Sequence, residues 1–199
     1  MKVLLPIMML CISLSMVTGC SMFGNSGVEI APYKVLKKEG AFELRYYNRM
    51  VLVTASMPQG MDNQRGSFYK LFGYISGENS DAKKIPMTAP VFMDQVNKKT
   101  ETMSFVLPDD YTMDMAPDPQ DETVKLQELK DYTVAVITFN GLLKQDNITK
   151  HQMLLEQWII SNGFEKTGSI KAAGYNPPFT IPALRRNEIL ISVRQISSE

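Results

Sequence analysis

Two segments of the chain place apolar residues at the spacing of an amphipathic helix. The first predicted helix runs from Asn63 to Ser76 and ends before Gly77. Its apolar stripe, at positions i, i+3, i+4 and i+7, consists of Phe68, Leu71, Phe72 and Ile75. The second predicted helix runs from Asn147 to Asn162 and ends before Gly163. Its stripe consists of Leu154, Leu155, Trp158 and Ile159.

Other segments alternate apolar and polar residues, or are rich in β-branched and aromatic side chains, and these patterns predict strands. Turn signals such as Pro108-Asp109-Asp110 separate them. The predicted strands are Phe42 to Met57, Pro86 to Met93, Thr102 to Leu107, Val124 to Leu129, Tyr132 to Phe139, Phe164 to Ala172 and Glu188 to Val193.

The predicted elements fall into two halves, each with the order β-α-β-β. Phe42 to Thr54 aligns weakly with Val124 to Val136, and a helix follows each segment. A proline-bearing stretch follows each helix, MTAPVF in the first half and YNPPFT in the second. If the halves are related rather than alike by chance, they predict an α+β fold, a pseudo-twofold antiparallel sheet or open barrel with two helices. Ligands of such folds often bind at the mouth of the sheet or under a helix.

The first twenty residues have the three-part layout of a secretory signal, with one basic residue, an apolar run from Val3 to Val17 and small residues before Cys20. The stretch VTGC resembles the lipobox of bacterial lipoproteins, in which the cysteine is acylated after cleavage. An ordinary cleaved signal with an incidental cysteine is the alternative. We therefore expect a signal peptide over residues 1–19 and a lipidated N-terminus with a tether over residues 20–32.

The predicted lipidation implies a location. Ser21 resembles the residue found at this position in lipoproteins that are sorted to the outer membrane. The resemblance implies a protein of the bacterial cell envelope that is lipid-anchored in the outer membrane and faces the periplasm.

Composition restricts the chemistry of the mature chain. The sequence has two cysteines, and Cys11 lies within the predicted signal, so neither a disulfide nor a cysteine metal site is expected. The 21 basic and 21 acidic residues leave no basic field for nucleic acid. The remaining residues, 33–199, have the usual size of one domain. The sequence lacks GxSxG, HExxH and GxxxxGK[ST] patterns, which favours a binding protein over an enzyme.

Three stretches resemble one family. They are YKVLKKEGAFELRYY from Tyr33, KIPMTAPV from Lys84, and AAGYNPPFTIPALRRNEILI from Ala172. They are similar to the SOUL family of heme-binding proteins, over most of the chain after the signal. The resemblance implies a distorted antiparallel β-barrel of two related halves with one helix each. It also implies a shallow apolar groove that takes heme or another tetrapyrrole, beside the first helix and the second proline motif.

The resemblance implies a set of ligand-binding residues. One wall would consist of Phe68, Leu71, Phe72 and Ile75, and the other of Tyr175, Pro177, Pro178 and Phe179. Arg65 and Lys70 are candidate cations for the propionates at the rim. The alternative is that the helical stripe is ordinary core, which is the commoner meaning of that spacing.

Two further residues are ambiguous in the sequence. His151 is the one histidine, on the second predicted helix; it is either a packing residue or an axial heme ligand, and we assign no metal ligand. Glu188 ends the charged stretch from Arg185. The stretch is either an exposed loop in which an arginine pairs with Glu188, or a family-specific anchor of that loop, or it places Glu188 inside the barrel facing a ligand.

The sequence therefore predicts a lipid-anchored envelope protein that binds heme or a related tetrapyrrole without catalysis. Two alternatives stay open. One is a small-molecule hydrolase or tetrapyrrole-processing enzyme that uses Glu188. The other is an envelope interaction protein with no ligand.

Overall fold

The computed structural model of the protein describes residues 27–57, 61–97 and 100–196. The predicted signal peptide, Cys20 and the first part of the predicted tether lie outside these residues. The helices are α1 (Met61–Ser76) and α2 (Gln145–Ser161), and a short 3₁₀ turn spans Pro182–Leu184. The strands are β1 (Glu29–Ile30), β2 (Lys34–Glu39), β3 (Phe42–Met57), β4 (Thr88–Ala89), β5 (Val91–Asn97), β6 (Thr100–Val106), β7 (Val124–Phe139), β8 (Phe164–Gly174) and β9 (Asn187–Gln195).

Six antiparallel strands close into a barrel. Their order is β3-β6-β5-β8-β9-β7, and β7 pairs with β3 to complete the ring. β2 lies outside the ring and pairs with the first residues of β3, whereas β1 and β4 form a two-residue parallel pair. The predicted α+β barrel with two helices is confirmed.

The two halves, β3-α1-β5-β6 and β7-α2-β8-β9, occupy equivalent places in this ring. β3 pairs with β7 and β5 pairs with β8, as a pseudo-twofold axis between the halves requires. The helices bury equivalent triplets, at the same spacing, against the sheet. They are Leu71, Tyr74 and Ile75 on α1, and Leu155, Trp158 and Ile159 on α2.

Three apolar layers form the core. Val51, Val53 and Ala55 of β3 pack under α1 on the outer face of the barrel. Ala135 and Ile137 of β7 pack under α2. The barrel interior is filled by a third group, which includes Tyr47, Met50, Leu52, Phe92, Val134, Val136, Ala173, Tyr175 and Leu190. The interior is a packed core in which side chains replace an open cavity.

Several details differ from the sequence prediction. The predicted strand Pro86 to Met93 is interrupted at Pro90, which lies between β4 and β5, because proline has no amide hydrogen to donate to a sheet. The segments Val124 to Leu129 and Tyr132 to Phe139 form one continuous strand, β7. Asp131 takes a left-handed conformation (φ 47°) within this strand, but the chain does not turn there. Asp131 lies opposite Asn48 of β3, between the pairs Tyr47↔Tyr132 and Arg49↔Lys130. β2 was not predicted, because all its residues are exposed and its sequence, KVLKKE, carries little apolar periodicity.

The two proline motifs are not equivalent in the fold. Pro90 precedes β5, whereas Pro177 and Pro178 follow β8. Because Val91 pairs with Gly174, both motifs lie at the same end of the β5–β8 ladder.

Candidate functional site

Glu188 lies at the start of β9, points into the barrel and is 0% exposed. Both of its carboxylate oxygens accept hydrogen bonds from Arg45 of β3, Oε2 from Nη1 at 2.8 Å and Oε1 from Nη2 at 2.9 Å. Arg186 donates to Oε1 from Nη2 at 2.7 Å and from Nε at 3.1 Å. The hydroxyl of Tyr175 donates to Oε2 at 2.7 Å, and that of Thr138 to Oε1 at 3.2 Å. These five residues are called the Glu188 cluster below.

Each of the two arginines of the Glu188 cluster stacks on an aromatic ring. The Arg186 guanidinium lies 3.9 Å from the centre of the Tyr175 ring, and that of Arg45 lies 4.2 Å from the centre of the Tyr33 ring. Arg45 Nε also donates to Glu43 Oε2 at 2.7 Å. These charges are therefore paired, as charges removed from water must be, and each guanidinium also stacks on an aromatic ring.

The Glu188 cluster fixes the protonation state of its carboxyl group. Burial alone would raise the pKa of Glu188, because the charged form loses its hydration. Hydrogen bonds and charges from Arg45 and Arg186, together with the Tyr175 hydroxyl, outweigh burial and hold the pKa of Glu188 below its ordinary value. Since its oxygens already accept six hydrogen bonds, Glu188 has neither the raised pKa nor the available lone pair that a general base needs.

The first group of predicted ligand residues, on α1, divides into two faces. Leu71 and Ile75 face the sheet and belong to the core. Phe68 and Phe72 are 36% and 48% exposed, and their rings stack at 6.2 Å between centroids. Tyr69, which the sequence analysis did not select, is also exposed and contacts Phe68 edge-on.

The predicted rim cations on α1 differ in their partners. Lys70 lies 3.2 Å from a carboxylate oxygen of Asp121 and donates to the hydroxyl of Thr123 at 2.7 Å. Arg65 is exposed. Lys70 therefore has an acidic partner, whereas Arg65 forms no ion pair with any side chain that the structure describes, which leaves out those of residues 61–64.

The second group of predicted ligand residues lies at and after the end of β8. Tyr175 is buried in the Glu188 cluster, whereas Pro177 and Pro178 are exposed and Phe179 is 87% exposed. The loop of residues 176–186, called the proline loop below, also exposes Ile181 and Leu184. Its apolar side chains therefore point away from the barrel core.

Arg185 gives the proline loop its shape. Its Nε donates to the carbonyl of Thr180 at 2.8 Å, and its Nη2 donates to the carbonyl of Pro178. A loop anchor is one of the roles that the sequence analysis considers for the charged stretch from Arg185 to Glu188, and these contacts give that role to Arg185.

The sheet register relates α1 to the start of the proline loop. The Phe68 ring contacts that of Phe105 on β6 at 5.3 Å between centroids. Phe105 pairs with Val91 of β5, and Val91 pairs with Gly174 at the end of β8. Since neighbouring strands are about 4.8 Å apart, Phe105 and Gly174 are about 10 Å apart across the outer face of the barrel. Val91 and Met93, both half-buried, lie on β5 between them.

His151 lies on α2. Its ring stacks on that of Phe139 at 3.9 Å, and its Nδ1 bonds to the backbone carbonyl of Asn147 at 2.7 Å. This is the environment of a packing histidine. Within the described residues, His, Cys, Asp and Glu side chains do not gather into a set of three or more that would suit a metal ion.

In the described part of the chain, neither helix is long and apolar enough to span a bilayer.

Comparisons with solved structures define the class of fold. The C-terminal domain of EcmrR superposes with a TM-score of 0.61 at 13% identity, covering 82% of this chain and 99% of that chain. A hydrolase from Listeria innocua superposes with a TM-score of 0.56 at 12% identity, covering 80% and 94%. At these identities the likeness concerns the fold alone, a two-helix antiparallel barrel.

Sequence comparisons identify the family. Residues 28–192 match the model of the SOUL heme-binding protein family, and the chain belongs to that family. It is 28% identical to heme-binding protein 1 of Mus musculus over 182 residues, covering 85% of this chain and 94% of the relative. It is 30% identical to heme-binding protein 2 of the same species over 173 residues, covering 80% and 81%.

Proposed function

We propose that this protein binds heme or a related tetrapyrrole in an apolar groove between α1 and the proline loop, without catalysing a reaction. The floor of the groove would be the outer face of β5 at Val91 and Met93. The exposed stacked pair Phe68 and Phe72 is the observation that carries the proposal, because a flat apolar ligand needs aromatic surface that is open to solvent.

The pseudo-twofold symmetry supports this argument. The buried triplets of the two helices are offset by 84 positions, from Leu71 to Leu155 and likewise for the other members. At the same offset, Phe68 and Phe72 correspond to Gln152 and Glu156, which bond to one another at 3.2 Å. The fold therefore accepts polar residues at these positions, and a ligand would account for the part of the aromatic pair on α1 that is left exposed.

The opposite wall supplies further apolar surface and a candidate cation lies at the rim. Phe179, Ile181 and Leu184 are all exposed on the proline loop. Arg65, one turn before Phe68, is the favoured partner for a propionate, since Lys70 is paired with Asp121. The names of the relatives, heme-binding proteins 1 and 2, support the class of ligand.

Absence of catalysis is part of the proposal, and the saturated Glu188 carboxylate supports it. The other two parts are attachment through a lipid on Cys20 and residence in the bacterial cell envelope, for storage or hand-over of the ligand. The lipobox-like stretch before Cys20 supports both parts. Replacing Cys20 with Ser should abolish incorporation of a radiolabelled fatty acid; labelling that persists would contradict the anchor.

A hemin titration followed by visible absorption tests the ligand. The unmodified chain should show a saturable one-to-one Soret shift, and Phe72→Glu should abolish it by placing a carboxylate against the porphyrin face. Ile160→Glu is the matched control, because Ile160 is 75% exposed on α2 and lies outside the proposed groove. Equal loss in both variants, or no saturable shift in the unmodified chain, would refute the proposal.

A further inference from the structure

The proline loop is fastened to the Glu188 cluster at both of its ends. Tyr175, immediately before the loop, donates its hydroxyl proton to Glu188 Oε2 at 2.7 Å. Arg186, at the end of the loop, donates to Oε1 at 2.7 Å and 3.1 Å. One buried carboxylate thus receives a hydrogen bond from each side of the loop base.

Backbone contacts close the same base. The amide of Tyr175 donates to the carbonyl of Arg186 at 3.2 Å, and the amide of Arg186 donates to Oδ1 of Asn176 at 2.7 Å. These bonds hold the two ends of the loop beside one another. They do not by themselves fix the loop relative to the barrel, because both partners belong to the loop base.

Two contacts join the loop to the segment after β7, from the amide of Gly141 to the carbonyl of Pro182 at 2.9 Å and from Nδ2 of Asn140 to the carbonyl of Arg185 at 3.0 Å. The connection of the loop base to the barrel interior passes through Glu188. Arg45 on β3 binds both oxygens of the carboxylate and is itself 1% exposed, so Glu188 has a fixed position. Tyr175 and Arg186 are then held at fixed points around it. Beyond the base, Phe179 and Ile181 are exposed, so the position of the base contributes to where these side chains point.

We propose that Glu188 is a positioning residue for ligand binding, which orients the proline loop by hydrogen bonds to Tyr175 and Arg186 and does not touch the ligand. The inference rests on the proposed function, because it assigns the loop a ligand to face. It gives the buried carboxylate a role other than that of a catalytic base.

Substitution of Glu188 itself is a poor test, because Glu188→Gln leaves the guanidinium groups of Arg45 and Arg186 short of a counter-charge and so destabilises the fold. Tyr175→Phe is sharper. It removes the loop's hydrogen bond and keeps the ring, which is 5% exposed. Thr138→Val is the matched control, since it removes another hydrogen bond to the same carboxylate, at 3.2 Å, from a residue of β7 outside the loop.

The experiment compares the full-length chain with these two variants by amide hydrogen exchange without ligand and by hemin titration. In Tyr175→Phe, exchange over residues 176–186 should accelerate about tenfold while β3 and β7 stay protected, because a hydrogen bond to a charged group is lost locally. The hemin dissociation constant should rise about tenfold, since a smaller fraction of molecules carries the loop in the competent orientation. Thr138→Val should change neither quantity.

Different results would contradict the positioning role of Glu188 and the proposed binding of heme. Equal effects of Tyr175→Phe and Thr138→Val on the exchange rates of the loop amides would overturn the positioning role. Faster loop exchange in Tyr175→Phe with an unchanged hemin dissociation constant would also overturn it. An unmodified chain that does not bind hemin would overturn the proposed function, whatever the exchange rates show.

Discussion

Arg45 and Glu188 are 143 positions apart in the sequence and meet inside the barrel through two parallel hydrogen bonds of 2.8 and 2.9 Å. They belong to β3 and β9, which are not neighbours in the ring, because β7 lies between them. The pair therefore crosses one end of the barrel and joins its two halves. Paired bonds between a guanidinium and a carboxylate combine charge with a fixed geometry.

Removing Arg45 should strongly destabilise the fold. Arg45→Met leaves the Glu188 carboxylate buried with part of its counter-charge lost, so the free energy of unfolding should fall by about 3–5 kcal/mol. Urea unfolding measures it. Arg194→Ala is the control, because the side chain of Arg194 is 71% exposed and its pair with Glu165 should contribute less than about 1 kcal/mol. Similar losses in both variants would contradict the structural role of Arg45.

Glu188 should titrate at unusually low pH. Its folded pKa is lowered, so its charge stabilises the fold above the unfolded value of about 4.3, and this contribution is lost as pH falls through the folded pKa. The side-chain carbonyl carbon of Glu188, followed by NMR from pH 7 downwards, should therefore titrate with a midpoint below the ordinary pKa of a glutamate. A midpoint above pH 5 would show that burial outweighs the arginines.

The residues of the α1 stripe should separate in their effects. Leu71→Ala empties a fully buried position, so the free energy of unfolding should fall by about 2–5 kcal/mol. Phe72→Ala should cost less than about 1 kcal/mol, because the ring is half exposed, yet it should weaken hemin binding. Urea unfolding and hemin titration of both variants check the contrast, which a large stability loss in Phe72→Ala would contradict.

A second buried ion pair should be replaceable by apolar residues. Asp94 of β5 and Lys171 of β8 are cross-strand partners joined by a salt bridge, and Oδ1 of Asp94 accepts no hydrogen bond among the described residues. Burial raises the pKa of Asp94, and Lys171 offsets this only in part.

For this pair, Lys171→Met alone should lower the free energy of unfolding by about 3–5 kcal/mol, because it leaves the buried carboxylate of Asp94 without a counter-charge. The double variant Asp94→Leu with Lys171→Met should be neutral, or more stable by about 1–4 kcal/mol. A double-mutant cycle by urea unfolding measures both. A double variant that is as unstable as Lys171→Met would show that the ion pair itself is needed.

His151→Ala should leave the hemin spectrum unchanged. The ring stacks on Phe139 and bonds to Asn147 on α2, so the variant should lose about 1 kcal/mol of stability and keep the position of the Soret band. Visible absorption of the hemin complex checks this outcome. A shifted Soret band together with weaker binding would instead assign His151 to the iron.

The sequence by itself determined the local elements and the family. The predicted bounds of Phe42 to Met57 agree with those of β3, and both helices were located within two residues at each end. Hydrophobic periodicity depends on neighbours along the chain, so it could be read without the fold. The proline-bearing motifs identified the family because they are specific strings of residues.

The tertiary structure alone decided the composition of the site. Tyr47 and Met50 of β3 both face the barrel interior although they are three positions apart, so the side of the barrel that a residue faces could not be counted along the chain. Periodicity also selected Leu71 and Phe72 equally, although the sheet covers only the first. Glu188 could not be assigned to the barrel interior from the sequence, because its partner Arg45 comes from the other half of the chain. Buried charge is stable only where such a distant partner completes it.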